Sequence, residues 1–374
     1  MTQDIRRRSF FVVLFMLCFG AFAICETSSG GQTRTYFIAA DEVVWDYAPS
    51  DLNQITGKDF DAIASLFVKK GPQTLGHIYK KAIYREYTDA TFTTLKTRPP
   101  ELEYLGFLGP VLRAEVGDTI NIRFKNNTTH TVSMHPHGVF YTKSSEGAPY
   151  ADGTKDADKA DDGVAPGKTY TYVWLVPERA GPVHGESSSA LWMYHSHVQE
   201  TGDVNAGLIG PLIITGRGEA KPDGSPKDVD REIIVLFSEM DENTSLYYDE
   251  NVKTYAQDPA NIPKNVTFAD PYYLSNLKEA INGYLFGNGP IMRMRKGEHV
   301  RWYILGSTNF EMHAPHWHGN TVVSMHMRTD VLSLMPMGMM IADMIPDDVG
   351  IWLFHCHVAP HLDAGMIARY EVDQ

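Results

Sequence analysis

Apolar runs of strand length recur along nearly the whole chain, separated by turns rich in Gly and Pro. "RAEVGDTINIRF" from Arg113, "ALWMYHSHV" from Ala190, "REIIVLFSEMDE" from Arg231 and "GIWLFHCHV" from Gly350 are typical. They are dense in Val, Ile, Tyr, Phe and Trp, and several alternate apolar with polar, the pattern of a strand with one face buried. Patterns of period 3.6 and helix length are few. The chain therefore reads as all-β, built of sandwiches of short strands. The stretch from Leu52 to Ile83 is less regular, with room for one short helix.

The pattern repeats. "GPVLRAEVGDTI" at 109–120 matches "GPIMRMRKGEHV" at 289–300. Each is followed by a strand-like run and a His-x-His, at His135 and His137 and at His316 and His318. Each half then closes with a second His-x-His on an aromatic strand, at His195 and His197 and at His355 and His357. The period is too long for a solenoid unit. It implies two copies of one domain, over 33–217 and 228–374, with the Gly-, Pro- and charge-rich stretch "GDVNAGLIGPLIITGRGEAKPDGSPKD" closing the first.

At 374 residues and 43% hydrophobic content, two sizeable cores are expected. A net charge of −13 argues against nucleic acid and anionic membranes as partners. It suits cationic substrates, and equally a solvated acidic surface. The N-terminus carries Arg6, Arg7 and Arg8, an apolar run and Ala21-Phe22-Ala23, the layout of a secretory signal over 1–25. "RRSFF" also resembles a twin-arginine signal, so an exported, periplasmic or secreted protein is expected. Cleavage near Ala23 is preferred to lipidation at Cys25. Cys25 and Cys356 then remain, no useful disulfide pair, so core and metals rather than disulfides are expected to hold the fold. The sequons at Asn126, Asn127, Asn243 and Asn265 are too common by chance to weigh.

The histidines change the picture most. Of 15, eight stand in the four His-x-His pairs. His77, His130, His184, His299 and His326 read as ordinary core or surface residues. On a strand, successive side chains point to opposite faces, so each pair shares one face, its members roughly 6–7 Å apart. Such spacing suits neighbouring metal ions. In "HCHVAPHLDAGM", His355 and His357 point one way and Cys356 the other. One strand can then serve two metal sites back to back. Cys356, His361 and Met366, completed by His313, offer the donors of a blue-copper site. In the first copy, counting along the chain puts Ser196 at the Cys356 place, Thr201 at the His361 place and Val132 at the His313 place. The blue-copper site is expected in the second copy alone.

"HPHG", "HSH", "HAPHWH" and "HCHVAPHLDAGM" resemble the four copper motifs of the multicopper oxidases. "FIAADEVVWDYAPSD", "GLIGPLII" and "INGYLFGN" are similar to the ceruloplasmin–hephaestin branch. With two copies rather than three or six, the chain looks like a two-domain laccase. The resemblance implies two cupredoxin (plastocyanin-like) Greek-key domains and a set of copper sites. His313, Cys356, His361 and Met366 would hold the type 1 copper, and His135 and His316 the type 2. His137, His195 and His357 would hold one copper of the binuclear type 3 site, and His197, His318 and His355 the other. It further implies one-electron oxidation of a reducing substrate and reduction of dioxygen to water, with Cys356, His355 and His357 as the link between sites. Asp152, in "YADGT", is a candidate carboxylate for the protons, or simply a turn residue. A copper nitrite reductase would carry its type 1 site in the first domain, where Ser196 stands. A non-catalytic electron carrier would need no paired histidines.

The substrate is open among phenols, aromatic amines, ferrous and cuprous ions. Glu311 and Asp363, beside type 1 ligands, could attract a metal cation. The methionines of "LMPMGMMIADM" are read as an adaptable apolar loop in preference to a Cu(I) site. Because family members with more domains join the first and last across the three-copper cluster, a homotrimer with clusters between subunits is expected.

Overall fold

The structure is a computed structural model and describes residues 31–264, 266–307 and 311–374. The expected signal peptide, Cys25 and Asn265 lie outside the described residues. Among the described residues no helix is long and apolar enough to cross a membrane.

The first half contains β1 (Thr33–Asp46), β2 (Ile78–Glu86), β3 (Leu112–Glu115), β4 (Thr119–Asn126), β5 (His135–Pro136), β6 (Thr169–Leu175), β7 (Ser189–His195) and β8 (Ile209–Thr215). They form two sheets, ordered β2-β1-β4-β6 and β3-β8-β7-β5. The second half contains β9 (Arg231–Asp241), β10 (Leu277–Ile281), β11 (Met292–Arg295), β12 (Val300–Gly306), β13 (Pro315–Trp317), β14 (Val322–Ser324), β15 (Met327–Thr329), β16 (Met339–Met344), β17 (Gly350–Cys356) and β18 (Ile367–Asp373). Its sheets run β10-β9-β12-β16-β14-β15 and β11-β18-β17-β13. The internal repeat is visible in the ladders: β1 runs parallel to β4 as β9 does to β12, and β3 parallel to β8 as β11 does to β18. This is the expected all-β architecture of paired sandwiches.

The burial patterns explain the strands. In β4, Ile120, Ile122 and Phe124 enter the core while Asn121, Arg123 and Lys125 lie on the other face. β8 and β12 are buried at every position and read accordingly as continuous apolar runs. Ile38, Phe124, Tyr172, Trp174 and Leu212 anchor the core of the first half. In the second, Trp302 meets Trp317 edge-on at 5.5 Å and Phe354 at 4.9 Å.

Among the described residues five short α-helices connect strands: α1 (Ala62–Val68), α2 (Glu200–Ala206), α3 (Tyr248–Tyr255), α4 (Pro271–Ser275) and α5 (Ala359–Ala364). α1 is the helix expected in the irregular stretch. Asp61 caps it by accepting from the Ile63 and Ala64 amides. Phe60, Ala64 and Val68 join the hydrophobic cluster that holds the core of the second half and extends into the first, with Phe60 against Phe286 at 5.3 Å. The insert is thus a lid of the second core, although it precedes that core by well over a hundred residues.

A buried ionic group sits beneath the insert. Lys81 Nζ donates to Glu242 and to the Asn205 carbonyl, and Tyr47 Oη donates to Glu242 at 2.6 Å. Lys278, also fully buried, donates to the carbonyls of Phe67, Gly76 and Ser275 at 2.6, 2.9 and 2.6 Å. Burial lowers the Lys278 pKa to about 7.

Candidate metal centre

The strand ladders bring the histidine pairs together. β5 pairs with β7 so that His135 faces His195, and β13 pairs with β17 so that His316 faces His355. Each half therefore gathers a quartet. In the first, neighbouring ring centroids among His135, His137, His195 and His197 lie 5.1–5.7 Å apart. In the second, neighbouring centroids among His316, His318, His355 and His357 lie 4.9–5.7 Å apart. This is closer than the spacing along one strand, because rings lean toward one another across the ladder.

Backbone carbonyls fix ring orientation. His135 Nδ1 bonds Glu146 O at 2.6 Å, His316 Nδ1 bonds Asp330 O at 2.8 Å, and His355 Nδ1 bonds Cys356 O at 2.8 Å. With Nδ1 as the N–H, Nε2 of these rings carries the lone pair. His318 Nε2 faces His355 Nε2 at 3.0 Å, and His137 Nε2 faces His195 Nε2 at 3.1 Å.

On the other face of β17, Cys356, His313 and His361 converge. The two Nδ1 atoms are 3.2 Å apart and Cys356 Sγ is 3.5 Å from His361 Nδ1. All three residues and Met366 are buried. The Ala314 amide donates to Sγ at 3.2 Å, and the Cys356 amide to Met366 O at 3.1 Å. His361 turns its Nε2 toward Glu311, 3.6 Å away and exposed.

The first copy keeps this frame without its donors. The Ser133 amide donates to Ser196 Oγ at 3.0 Å, as Ala314 does to Cys356. The Ser196 amide donates to Leu208 O, and the Leu208 amide to Asp203 O; in the second copy Cys356, Met366 and His361 make the same two bonds. Both turns end at a left-handed glycine, Gly207 at φ 114° and Gly365 at φ 115°. The residue at the His361 place is therefore Asp203, not Thr201 as counting along the chain suggests, because the first copy's turn is two residues longer. Asp203 is buried and accepts from Ser196 Oγ at 2.6 Å and from the Val198 and Gln199 amides.

Family profiles described as multicopper oxidase match residues 105–219 and 255–374. The chain belongs to the multicopper oxidase family. Within that family it is 45% identical to human ferroxidase HEPHL1 over 348 residues, which cover 92% of this chain and 30% of that protein. It is 42% identical to human hephaestin, covering 91% and 29%, and 36% identical to human ceruloplasmin, covering 92% and 33%. The chain thus spans about a third of the length of these relatives. A solved multicopper oxidase shares the fold at TM-score 0.57 and 18% identity, covering 91% of this chain and 89% of that one. The blue copper oxidase from Nitrosomonas europaea does so at 0.52 and 19%, covering 91% and 86%.

Copper is the cofactor that the family implies, and the donors present fit it. Two Nε2 atoms 3.0–3.1 Å apart need a proton or a cation between them, and each pair is placed to share one. A thiol with two imidazoles is a soft, nitrogen-rich set suited to copper. Burial, then the neighbouring imidazoles, lowers the pKa of His137 to about 4; burial, then His137, lowers that of His195 to about 3; burial, then His361, lowers that of His313 to about 3. These rings are neutral at pH 7, as ligation requires. Their depressed pKa values also fix a pH response. The unfolded chain takes up protons near pH 6.5 and the folded chain only near 3–4, so stability is full above pH 6.5 and is lost as pH falls toward 4. The urea midpoint of copper-free protein should fall steadily from pH 7 to pH 4. A midpoint independent of pH there would contradict the buried neutral rings.

Asp152 is bound to Thr154 and to two lysines, Lys159 at 2.9 Å and Lys143 at 3.3 Å, and those bonds hold its pKa well below the usual carboxylate range. Among the described residues no imidazole bonds it; Lys143 also bonds Glu146, whose carbonyl holds His135. The buried acid of this region is Asp161, which accepts the Gly147 amide at 2.7 Å and has its pKa raised by burial. Sequence reading also passed over Glu239 and Glu279. They face each other across β9 and β10, and with His361 their oxygen and nitrogen atoms form one close group. Burial, then Glu239, pushes the Glu279 pKa far up. The available signal was acids at inner positions of two largely apolar strands, β9 and β10. Among the single histidines, His77 pairs with Asp46 at 2.6 Å and His130 packs edge-on against Tyr247.

Proposed function

We propose that the chain is a copper oxidase that takes electrons singly from a reducing substrate and uses them to reduce dioxygen to water. The two-faced strand β17 carries this reading: Cys356 Sγ converges with His313 and His361 on one side, and His355 with His316 and His318 on the other. We assign His313, Cys356, His361 and Met366 to the type 1 position and His135 and His316 to type 2. His137, His195 and His357, and His197, His318 and His355, are assigned to the two type 3 positions. Copper bound there supplies one-electron acceptance on the cysteine side and dioxygen reduction on the imidazole side. The chain's part is to join the two donor sets by single peptide links, keep the rings neutral and exclude water from Cys356. The exposed Glu311 beside His361 Nε2 favours a cationic reductant, ferrous or cuprous ion, over a neutral phenol. A ferroxidase role is supported by the likeness to human ferroxidase HEPHL1.

Dioxygen uptake by copper-loaded protein tests this with Fe(II), Cu(I) and a phenol in turn. Uptake is expected with all three, at one dioxygen per four electrons, with the metal ions preferred and their advantage shrinking as salt rises. No uptake with any of them would leave an electron carrier instead of an oxidase.

We further infer a homotrimer. Among the described residues, no donor group draws on both quartets. The first quartet opens on a cleft of about 460 Å³ lined by His135, His137 and Arg179, and His357 of the second is exposed. Head-to-tail contacts closing after three copies would set each first quartet against a neighbour's second. The N-terminal sequence supports export, to periplasm or medium.

A further inference from the structure

β14 and β15 form a hairpin in which Ser324 pairs with Met327, leaving Met325 and His326 as a two-residue turn. Both have positive φ, 48° and 60°. Such turns strongly favour Asn-Gly, since a side chain in the left-handed region is strained. Here the turn instead carries a long thioether and an imidazole, both exposed, Met325 at 67%. Met337, at φ 54°, is a third strained position. These three residues, with Met339 and Met340 of β16, line one groove of about 580 Å³. Glu186 lines it too, with Oε1 3.7 Å from His326 Nε2. Strain retained at positions that converge on one cavity points to a use for their side chains. The segment bearing Met337 is fastened to the type 1 donors: Leu334 and His313 exchange both backbone hydrogen bonds, at 2.8 and 2.9 Å.

We propose that this groove binds a soft monovalent metal ion, cuprous ion, through the thioethers of Met325, Met337, Met339 and Met340 and the imidazole of His326. Thioether donors select Cu(I) over hard cations, which prefer oxygen. Glu186 supplies the negative charge that draws the ion in. The oxidase reading supplies the choice of ion; the groove stands on its own geometry.

Silver(I), equally soft and redox-silent, is the probe. Titrated into copper-loaded protein by calorimetry, it should bind once per chain, unaffected by excess Mg(II). M337L/M339L/M340L conserves volume and should keep the fold, while weakening Ag(I) binding by about tenfold or more. M325N/H326G installs the favoured turn residues, so it should raise Tm while also weakening Ag(I). A merely structural role for the turn would raise Tm and leave Ag(I) untouched. Unchanged Ag(I) affinity in both variants, or displacement by Mg(II), overturns the site. Phenol-driven dioxygen uptake by the wild type reports separately on the oxidase reading. Methionine-dependent Ag(I) binding without uptake keeps the groove and removes the oxidase, and uptake without such binding does the reverse.

Discussion

Copper-loaded Cys356→Ser protein is expected to be colourless, inactive toward every reductant and short of one copper per chain. The wild type should be blue. Sγ is the one thiol in its group, buried and 3.5 Å from His361 Nδ1. An anionic sulfur bound to copper gives the colour, and a hydroxyl neither ionises near pH 7 nor favours copper. The first copy displays the outcome of that exchange: Ser196, on the same frame, hydrogen-bonds to Asp203. The imidazole quartets do not depend on Sγ, so their copper should remain. Visible absorbance, metal analysis and dioxygen uptake on one preparation decide the matter. A colourless wild type with full activity would remove the type 1 assignment.

Mixing two dead variants should restore activity. A His137→Ala, His195→Ala chain lacks a sound first quartet, and a Cys356→Ser chain lacks a sound second site. If each cluster joins one chain's first half to its neighbour's second, exchanged trimers contain some interfaces with both sides intact. With equal amounts and random assembly, about one interface in four should be sound, so roughly a quarter of wild-type activity should return. Each variant alone should stay at background, and exchange should be proved with tagged chains. No recovery after proven exchange, or a fully active monomer, would exclude clusters between subunits.

Much of this site was legible because strand alternation and residue chemistry are both written locally. His355, Cys356 and His357 announce two faces by adjacency alone, and the doubled motifs announce the repeat. What escaped reading depends on turn length or on distant packing. Thr201 seemed to match His361 only because α2 and its turn outrun α5 by two residues, which shifts the match to Asp203. Glu239 and Glu279 look like ordinary strand acids until the β9–β10 register sets them face to face. The three strained groove residues come from two separate turns, and nothing near Met325 in sequence reveals that Met337 lines the same groove. The insert offered a helix but not its destination, since Phe60 packs against Phe286 across a gap that local pattern cannot span.

The buried lysines give the insert a further consequence. Lys81 belongs to the first half and its partner Glu242 to the second, while Lys278 of the second half holds carbonyls of the insert at Phe67 and Gly76. Separating the halves would strand charges inside apolar surroundings, at a cost of roughly 3–5 kcal/mol for a broken buried pair. The two copies are therefore not exchangeable modules: a replacement first half must bring a lysine at the Lys81 place, and a replacement second half an acid at the Glu242 place, or the partner's charge is left buried and unpaired.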